Sequence, residues 1–306
     1  MEVESVNLFL DYLKTIKNKS DNTIDAYRKD LRVFFEFVAT KKKLNKVDNE
    51  FINSITLSDL YSFMTYCEKT RKNSAYARAR KVATLKSYFN FIERKLKIID
   101  DNITLELEAP KLPQKNPKYL TVKQSVKLLR SLDKESKNYN RDNCILTLFL
   151  NCGLRLSELC NIQINDIKND TLTIVGKGNK ERTIYLNDAC LKVINKLLDE
   201  RDERDESKIS YEDKDFLFIS NRGKRINQRT VEKMVKKYVG ENGFDEKITP
   251  HKLRHTSATI LYQNGVGVRE LQQILGHTNI STTQIYINTD NDTLRDAVKL
   301  NPLSKL

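Results

Sequence analysis

Three of the five prolines in this 306-residue chain, Pro110, Pro113 and Pro117, crowd into one stretch, APKLPQKNPKY. Proline lacks a backbone donor and pushes the preceding residue away from helix, so regular structure does not run through such a segment. The chain must therefore fold as two units on either side, and its length suits about two domains. This predicts a helical domain over 1–108, a Pro-rich linker over 109–117 and a second domain over 118–306.

The first part has apolar residues at helix spacing in VNLFLDYLKTI (6–16), TIDAYRKDLRVFFEFV (23–38), DLYSFMTYC (59–67) and SAYARARKVATLKSYFNFI (74–92). In the second part, Thr121 and Gln124 have capping-box spacing and open a helix. An apolar helix, NCILTLFLNC, stops at Gly153, and TLTIV and RTIYL alternate around GKGNKE, predicting a β-hairpin over 171–186. DFLFIS (215–220) reads as another short strand, and the chain after Thr230 as helices with brief breaks. The fold class is mainly α, with a small β-sheet or hairpin in the second domain.

Composition narrows the partners. Lys and Arg number 54 against 41 Asp and Glu, a net charge of +13, which suits a polyanion whose phosphates release counterions on binding. Residues 69–97 concentrate the excess, with ten basic residues against one acid, Glu93. Tyr76, Val82, Leu85, Phe89 and Ile92 form the core face there, which leaves Arg71, Lys72, Arg78, Arg80, Lys81 and Lys86 as candidate phosphate contacts. Five cysteines without a C-x-x-C pair point to buried thiols in a reducing cytosol, with neither disulfides nor a zinc site. The opening MEVESVNLFLDYL is unlike a signal peptide, and no apolar run approaches the roughly 20 residues that cross a bilayer. A cytoplasmic protein with no membrane partner is expected.

The three histidines, His251, His255 and His277, all fall in the last 60 residues. In TPHKLRH, Thr249 is a good N-cap and Pro250 fits the first helical position, so His251, Arg254 and His255 share a helix face. His255 by itself reads as a packed structural residue. His277 follows a glycine stop at Gly276, and a capping box at 281–284 places Tyr286 in the second turn of a further helix. After the Gly153 stop, Arg155 and Glu158 lie one turn apart, and the hairpin turn presents Lys177. That turn lacks the spacing of a nucleotide-binding loop. Taken singly, an i,i+3 ion pair and a half-buried tyrosine are ordinary surface features.

The ordered set GLRLSEL (153–159), the hairpin lysine, HKLRH (251–255), LGH (275–277) and STTQIY (281–286) resembles the tyrosine recombinase, or phage integrase, family, most closely its Xer-type members. The basic helical front domain resembles that family's core-binding domain, so the likeness spans the chain. The resemblance implies two domains forming a C-shaped clamp around double-stranded DNA at a specific recombination site. It also implies a homotetramer on DNA, or a heterotetramer with a second recombinase. By the same resemblance Arg155, Lys177, His251, Arg254, His277 and Tyr286 take the catalytic positions with Glu158 in support, through a 3′-phosphotyrosyl intermediate and with no metal or cofactor.

The residue types suit that chemistry. Two guanidiniums can clamp the non-bridging oxygens of a phosphodiester and stabilise charge in the transition state. A type IB topoisomerase, a non-catalytic DNA-binding protein and a metal-dependent nuclease are the alternative readings. The LGH and STTQIY arrangement and the front domain favour the recombinase over the topoisomerase.

Overall fold

The proline-rich stretch separates two units of the chain, Met1–Lys115 and Asn116–Leu306. The computed structural model describes residues 3–44, 46–113, 118–176, 181–202 and 209–276. Among these, no helix is long and apolar enough to cross a membrane.

The first unit is helical: α1 (Glu4–Thr15), α2 (Asp21–Lys42), α3 (Asn49–Asn53), α4 (Leu57–Lys69) and α5 (Ala75–Phe91), the last extended by a π-helical turn over Ile92–Leu96. Side-chain caps set several of the starts. Asp48 accepts from the Phe51 N–H, Thr56 and Asp59 form a capping box, and Ser74 accepts from the Ala77 N–H. The core is aromatic, with Phe34 packed edge-on against Phe63 at 5.1 Å and Phe35 against Tyr88 at 5.7 Å. Tyr88 is fully buried, and its hydroxyl lies 2.7 Å from that of Ser5.

The basic helix α5 differs from its sequence reading at two positions. Tyr76, read as part of the core face, is 44% exposed, and its hydroxyl donates to the Pro113 carbonyl. Lys81 does not face outward: it is 6% exposed, and its ammonium donates to the buried Asp30. Arg80 donates to the other Asp30 oxygen at 2.6 Å, and Thr84 adds a bond to the same oxygen at 3.3 Å. The reason is local. Asp30 lies on the core side of α2, and an unpaired buried carboxylate costs several kcal/mol, so it draws the nearest cations inward. Arg78 pairs with Glu68 at 2.9 Å and Lys86 reaches the Leu105 carbonyl, whereas Arg71 and Lys72 are exposed.

The second unit contains α6 (Val122–Arg130), α7 (Tyr139–Cys152), α8 (Leu156–Cys160), strands β1 (Ile167–Lys168), β2 (Thr171–Val175) and β3 (Glu181–Tyr185), then α9 (Asp188–Asp202), α10 (Gln228–Glu241), α11 (Pro250–Gln263) and α12 (Val268–Leu275). Helix α7 is the centre of the core, with Cys144, Ile145, Leu146, Leu148 and Phe149 all fully buried, and it packs against α9 and α11. The sheet is antiparallel in the order β1-β2-β3, and Leu172, Ile174 and Ile184 point inward. All five cysteines are buried.

Residues 215–220 do not form the expected strand. Isolated bridges link Gln163 to Phe216 and Ile219 to Arg225. Leu217 and Phe218 are both buried although adjacent, which a strand with one face on the core does not allow.

Loss of the Asp30 carboxylate leaves a buried ammonium without its partner. Asp30→Ala is expected to destabilise the protein by about 3 kcal/mol or more, and Lys81→Met in that background to recover part of the loss. Urea unfolding followed by circular dichroism measures both.

Candidate active site

Two glycines and one carboxylate organise the site. Helix α7 ends where Gly153 turns left-handed, at φ +58°, and a Cβ there would lie 2.8 Å from Leu275 Cδ2. Both the turn and the approach of α12 therefore need glycine. The reversed chain buries Leu154 and places Arg155 at the N-cap of α8. One turn on, Glu158 reaches back. Its Oε2 accepts the Arg155 backbone N–H at 2.8 Å and its Oε1 accepts the Arg155 guanidinium at 2.6 Å. Carboxylates are favoured at this end of a helix, where backbone donors are unsatisfied.

Glu158 has a second partner. Arg182, on β3, donates NH1 to Oε1 at 2.8 Å and NH2 to Oε2 at 2.9 Å. Burial alone would raise the Glu158 pKa. The bonds from Arg182, then those from the Arg155 N–H and guanidinium, outweigh burial and bring it down to about 2. The site carboxylate is thus ionised throughout the neutral range.

Arg254, on α11, approaches the same carboxylate at 3.8 Å. It is 3% exposed and donates to two backbone carbonyls, Gly153 at 2.7 Å and Leu275 at 2.6 Å. The guanidinium thereby ties the end of α7 to the end of α12. Arg155 completes the ring by donating NH2 to the Gly276 carbonyl at 2.9 Å, and about a third of its side chain remains open to solvent. Gly276 is also left-handed, and a Cβ there would lie 2.8 Å from Arg182 Cδ.

Helix α11 starts as expected, with Thr249 at the N-cap in extended backbone and Pro250 in the first turn, although the Thr249 side chain makes no capping bond. Its histidines fall in different environments. His255 is buried, edge-on to Tyr119 at 6.0 Å, and burial followed by the charges of Lys252 and His251 lowers its pKa to about 4. It is a packed structural residue. His251, at the helix start, is more open. Desolvation, then the positive charges of Lys252, Arg254 and Arg155, hold its pKa below the usual imidazole value. The ring is therefore neutral near pH 7 and able to accept a proton.

The structure brings together Arg155, Glu158, Arg254 and His251 from the sequence-derived set. Lys177, His277 and Tyr286 lie outside the described residues, but the chain beside two of them is placed. Val175 and Glu181, on either side of the segment that carries Lys177, pair across the sheet, and Gly276, which precedes His277, lies against both Arg155 and Arg182. The residue that the motif pattern missed is Arg182. A signal for it existed: it pairs with the buried Ile174 and lies two residues from the buried Ile184, so strand alternation turns it inward. A guanidinium on a buried strand face requires an acid nearby.

Comparison with known proteins gives the family of the chain. Residues 118–292 match the phage integrase family, and residues 6–95 match the N-terminal SAM-like domain of phage integrases. The tyrosine recombinase XerC of Caldanaerobacter subterraneus subsp. tengcongensis is 48% identical over 311 aligned positions, covering 97% of this chain and 86% of the relative. The tyrosine recombinase XerD of Listeria monocytogenes serotype 4b is 34% identical over 95% of this chain and 96% of the relative. Among solved structures, XerA recombinase aligns at 27% identity with a TM-score of 0.53, over 98% and 99% of the two chains. The XerH recombinase in a post-cleavage complex with its difH substrate shares the fold at 24% identity and a TM-score of 0.74, over 96% and 84%. The chain belongs to the phage integrase family, as a Xer-type tyrosine recombinase and hence a site-specific DNA recombinase.

Proposed function

We propose that this recombinase cleaves and rejoins DNA through a 3′-phosphotyrosyl bond to Tyr286, with residues 118–306 as the catalytic domain and 1–108 as a DNA-binding domain, joined by the Pro-rich segment 109–117. The supporting observation is the convergence of Arg155 and Arg254, distant in sequence, on the single carboxylate of Glu158, with the neutral His251 beside them. Such a cluster carries a surplus of positive charge that a phosphodiester would balance.

In this reading the Tyr286 oxygen attacks the scissile phosphorus, forming a phosphotyrosyl bond as the bond to the 5′ oxygen breaks. The phenol is a weak nucleophile: with a pKa of about 10, roughly one molecule in a thousand is ionised at neutral pH, a deficit of about 4 kcal/mol. His251 takes the phenolic proton. Arg155 and Arg254 stabilise charge on the non-bridging oxygens, and His277 adds a hydrogen bond. Lys177 gives a proton to the departing 5′ oxygen. The reverse steps, with a new 5′ hydroxyl, rejoin the strand, and the energy of the phosphodiester is kept in the tyrosyl ester, so no nucleotide is consumed.

The partner is double-stranded DNA carrying a specific recombination site. Arg71, Lys72, Arg78, Arg80 and Lys86 contribute phosphate contacts, while Lys81 supports α5 through Asp30. Exchange between two sites takes four protomers, either as a homotetramer or with a second recombinase, in the cytoplasm. Chromosome dimer resolution and mobile-element integration or excision both fit this chemistry.

On a nicked suicide duplex, wild-type protein should accumulate a covalent adduct and Tyr286→Phe should bind the same duplex without one; an adduct in the variant would exclude Tyr286 as the nucleophile. Arg155→Ala and Arg254→Ala are each expected to slow single-turnover cleavage by about a hundredfold or more with DNA binding largely retained. Cleavage at the wild-type rate in either would remove that arginine from the clamp. Because the His251 pKa is held low, the neutral base persists as pH falls, so the acid limb of the cleavage rate should have its midpoint below the ordinary imidazole value. His251→Gln should lose that limb, and an unchanged limb would assign the base elsewhere.

A further inference from the structure

Arg182 is outside the six side chains to which the chemistry is assigned, yet it gives two guanidinium bonds to Glu158, the group that supports them, where Arg155 gives one. A carboxylate offers about four lone-pair positions in its plane. At Glu158 four donors fill them. Oε1 accepts from the guanidiniums of Arg155 and Arg182, and Oε2 accepts from the Arg155 backbone N–H and from Arg182. Arg182 is the bidentate partner, and Arg155 gives only one guanidinium nitrogen to the carboxylate. Its other terminal nitrogen bonds the Gly276 carbonyl, and about a third of the side chain stays exposed.

We propose that Arg182 is a positioning residue for strand cleavage, whose bidentate hold on Glu158 keeps that carboxylate from engaging the whole guanidinium of Arg155. An arginine and a carboxylate prefer the two-bond, fork-to-fork arrangement. Without Arg182, Glu158 is at liberty to adopt it with Arg155, which would draw the clamp arm away from the scissile phosphate. The inference rests on the assignment of Arg155 made above.

Three further observations agree. Arg182 is closely packed, with its side chain 13% exposed and its Nε buried without a hydrogen-bond partner among the described residues. Gly276 makes room for it, since a Cβ would lie 2.9 Å from that Nε. Finally, Arg182 is the second residue of β3. Its bond to Glu158 therefore ties the start of β3 to the start of α8.

The test uses full-length Arg182→Gln, Arg182→Lys, Glu158→Gln and the double variant Glu158→Gln/Arg182→Gln, with Arg155→Ala in parallel. Thermal melting reports folding, titration with labelled duplex reports binding, and single-turnover cleavage of a saturated nicked suicide duplex reports the chemical step. Arg182→Gln and Arg182→Lys should both bind within about threefold of wild type and cleave at least about tenfold more slowly, because lysine keeps the charge but not the fork. Both substitutions act through one carboxylate, so the double variant should be slower than the slower single by no more than about threefold. Wild-type cleavage by Arg182→Lys, or losses that multiply in full in the double variant, would overturn the proposal. Should Arg182→Gln fail to fold, Arg182→Lys alone and combined with Glu158→Gln gives the same decision. Normal cleavage by the Arg182 variants beside an inactive Arg155→Ala would defeat only this inference, whereas normal cleavage by Arg155→Ala would take the reading beneath it as well.

Discussion

The second unit depends on a buried carboxylate that guanidiniums surround. Glu158 is 5% exposed and stays ionised because four N–H donors bond its two oxygens. Desolvating such a charge costs several kcal/mol and is offset only where the bonding is complete. Here the partners come from separate segments: α8 itself, strand β3 and, at longer range, α11. The same contacts that keep the carboxylate in the interior thus join the sheet and two helices at one place. Removal of any donor would affect both the fold and the site.

The balance of charge in that cluster is uneven. Three guanidiniums, from Arg155, Arg182 and Arg254, approach one carboxylate. Backbone carbonyls of Gly153, Leu275 and Gly276 take part of the surplus as hydrogen-bond acceptors, but carbonyl dipoles do not cancel net charge. The surplus acts on His251 nearby, where desolvation first and then the charges of Lys252, Arg254 and Arg155 lower the imidazole pKa.

The first unit uses the same physical solution for support rather than chemistry. Asp30 is buried and gathers Arg80, Lys81 and Thr84, while Asp59 is buried and gathers Lys41 and Lys42, with its pKa brought to about 2 by those bonds against the effect of burial. In a chain with an excess of basic residues, a few inward acids fix some cations as internal struts. Others, such as Arg71 and Lys72 at the end of α4, stay on the surface. Net charge alone does not separate the two groups.

Much of this was legible in the sequence because it depends on local physics. Helical periodicity, the capping box at Thr121, the glycine stop after α7, and the alternating strands of the hairpin are short-range effects, and each element forms where its pattern lies. The order and spacing of the motifs likewise pointed to the family before any contact was known. Tertiary structure alone decided which charged side chains turn inward. Lys81 and Arg80 are neighbours in one basic run, yet Lys81 is buried on Asp30, fifty-one residues away. Arg182 became part of the site only when β3 met α8, and Arg254 went beneath the surface to reach two carbonyls. A periodic pattern records which face of an element is apolar. The partner that will neutralise a buried charge is set by long-range packing, and a linear pattern does not contain it.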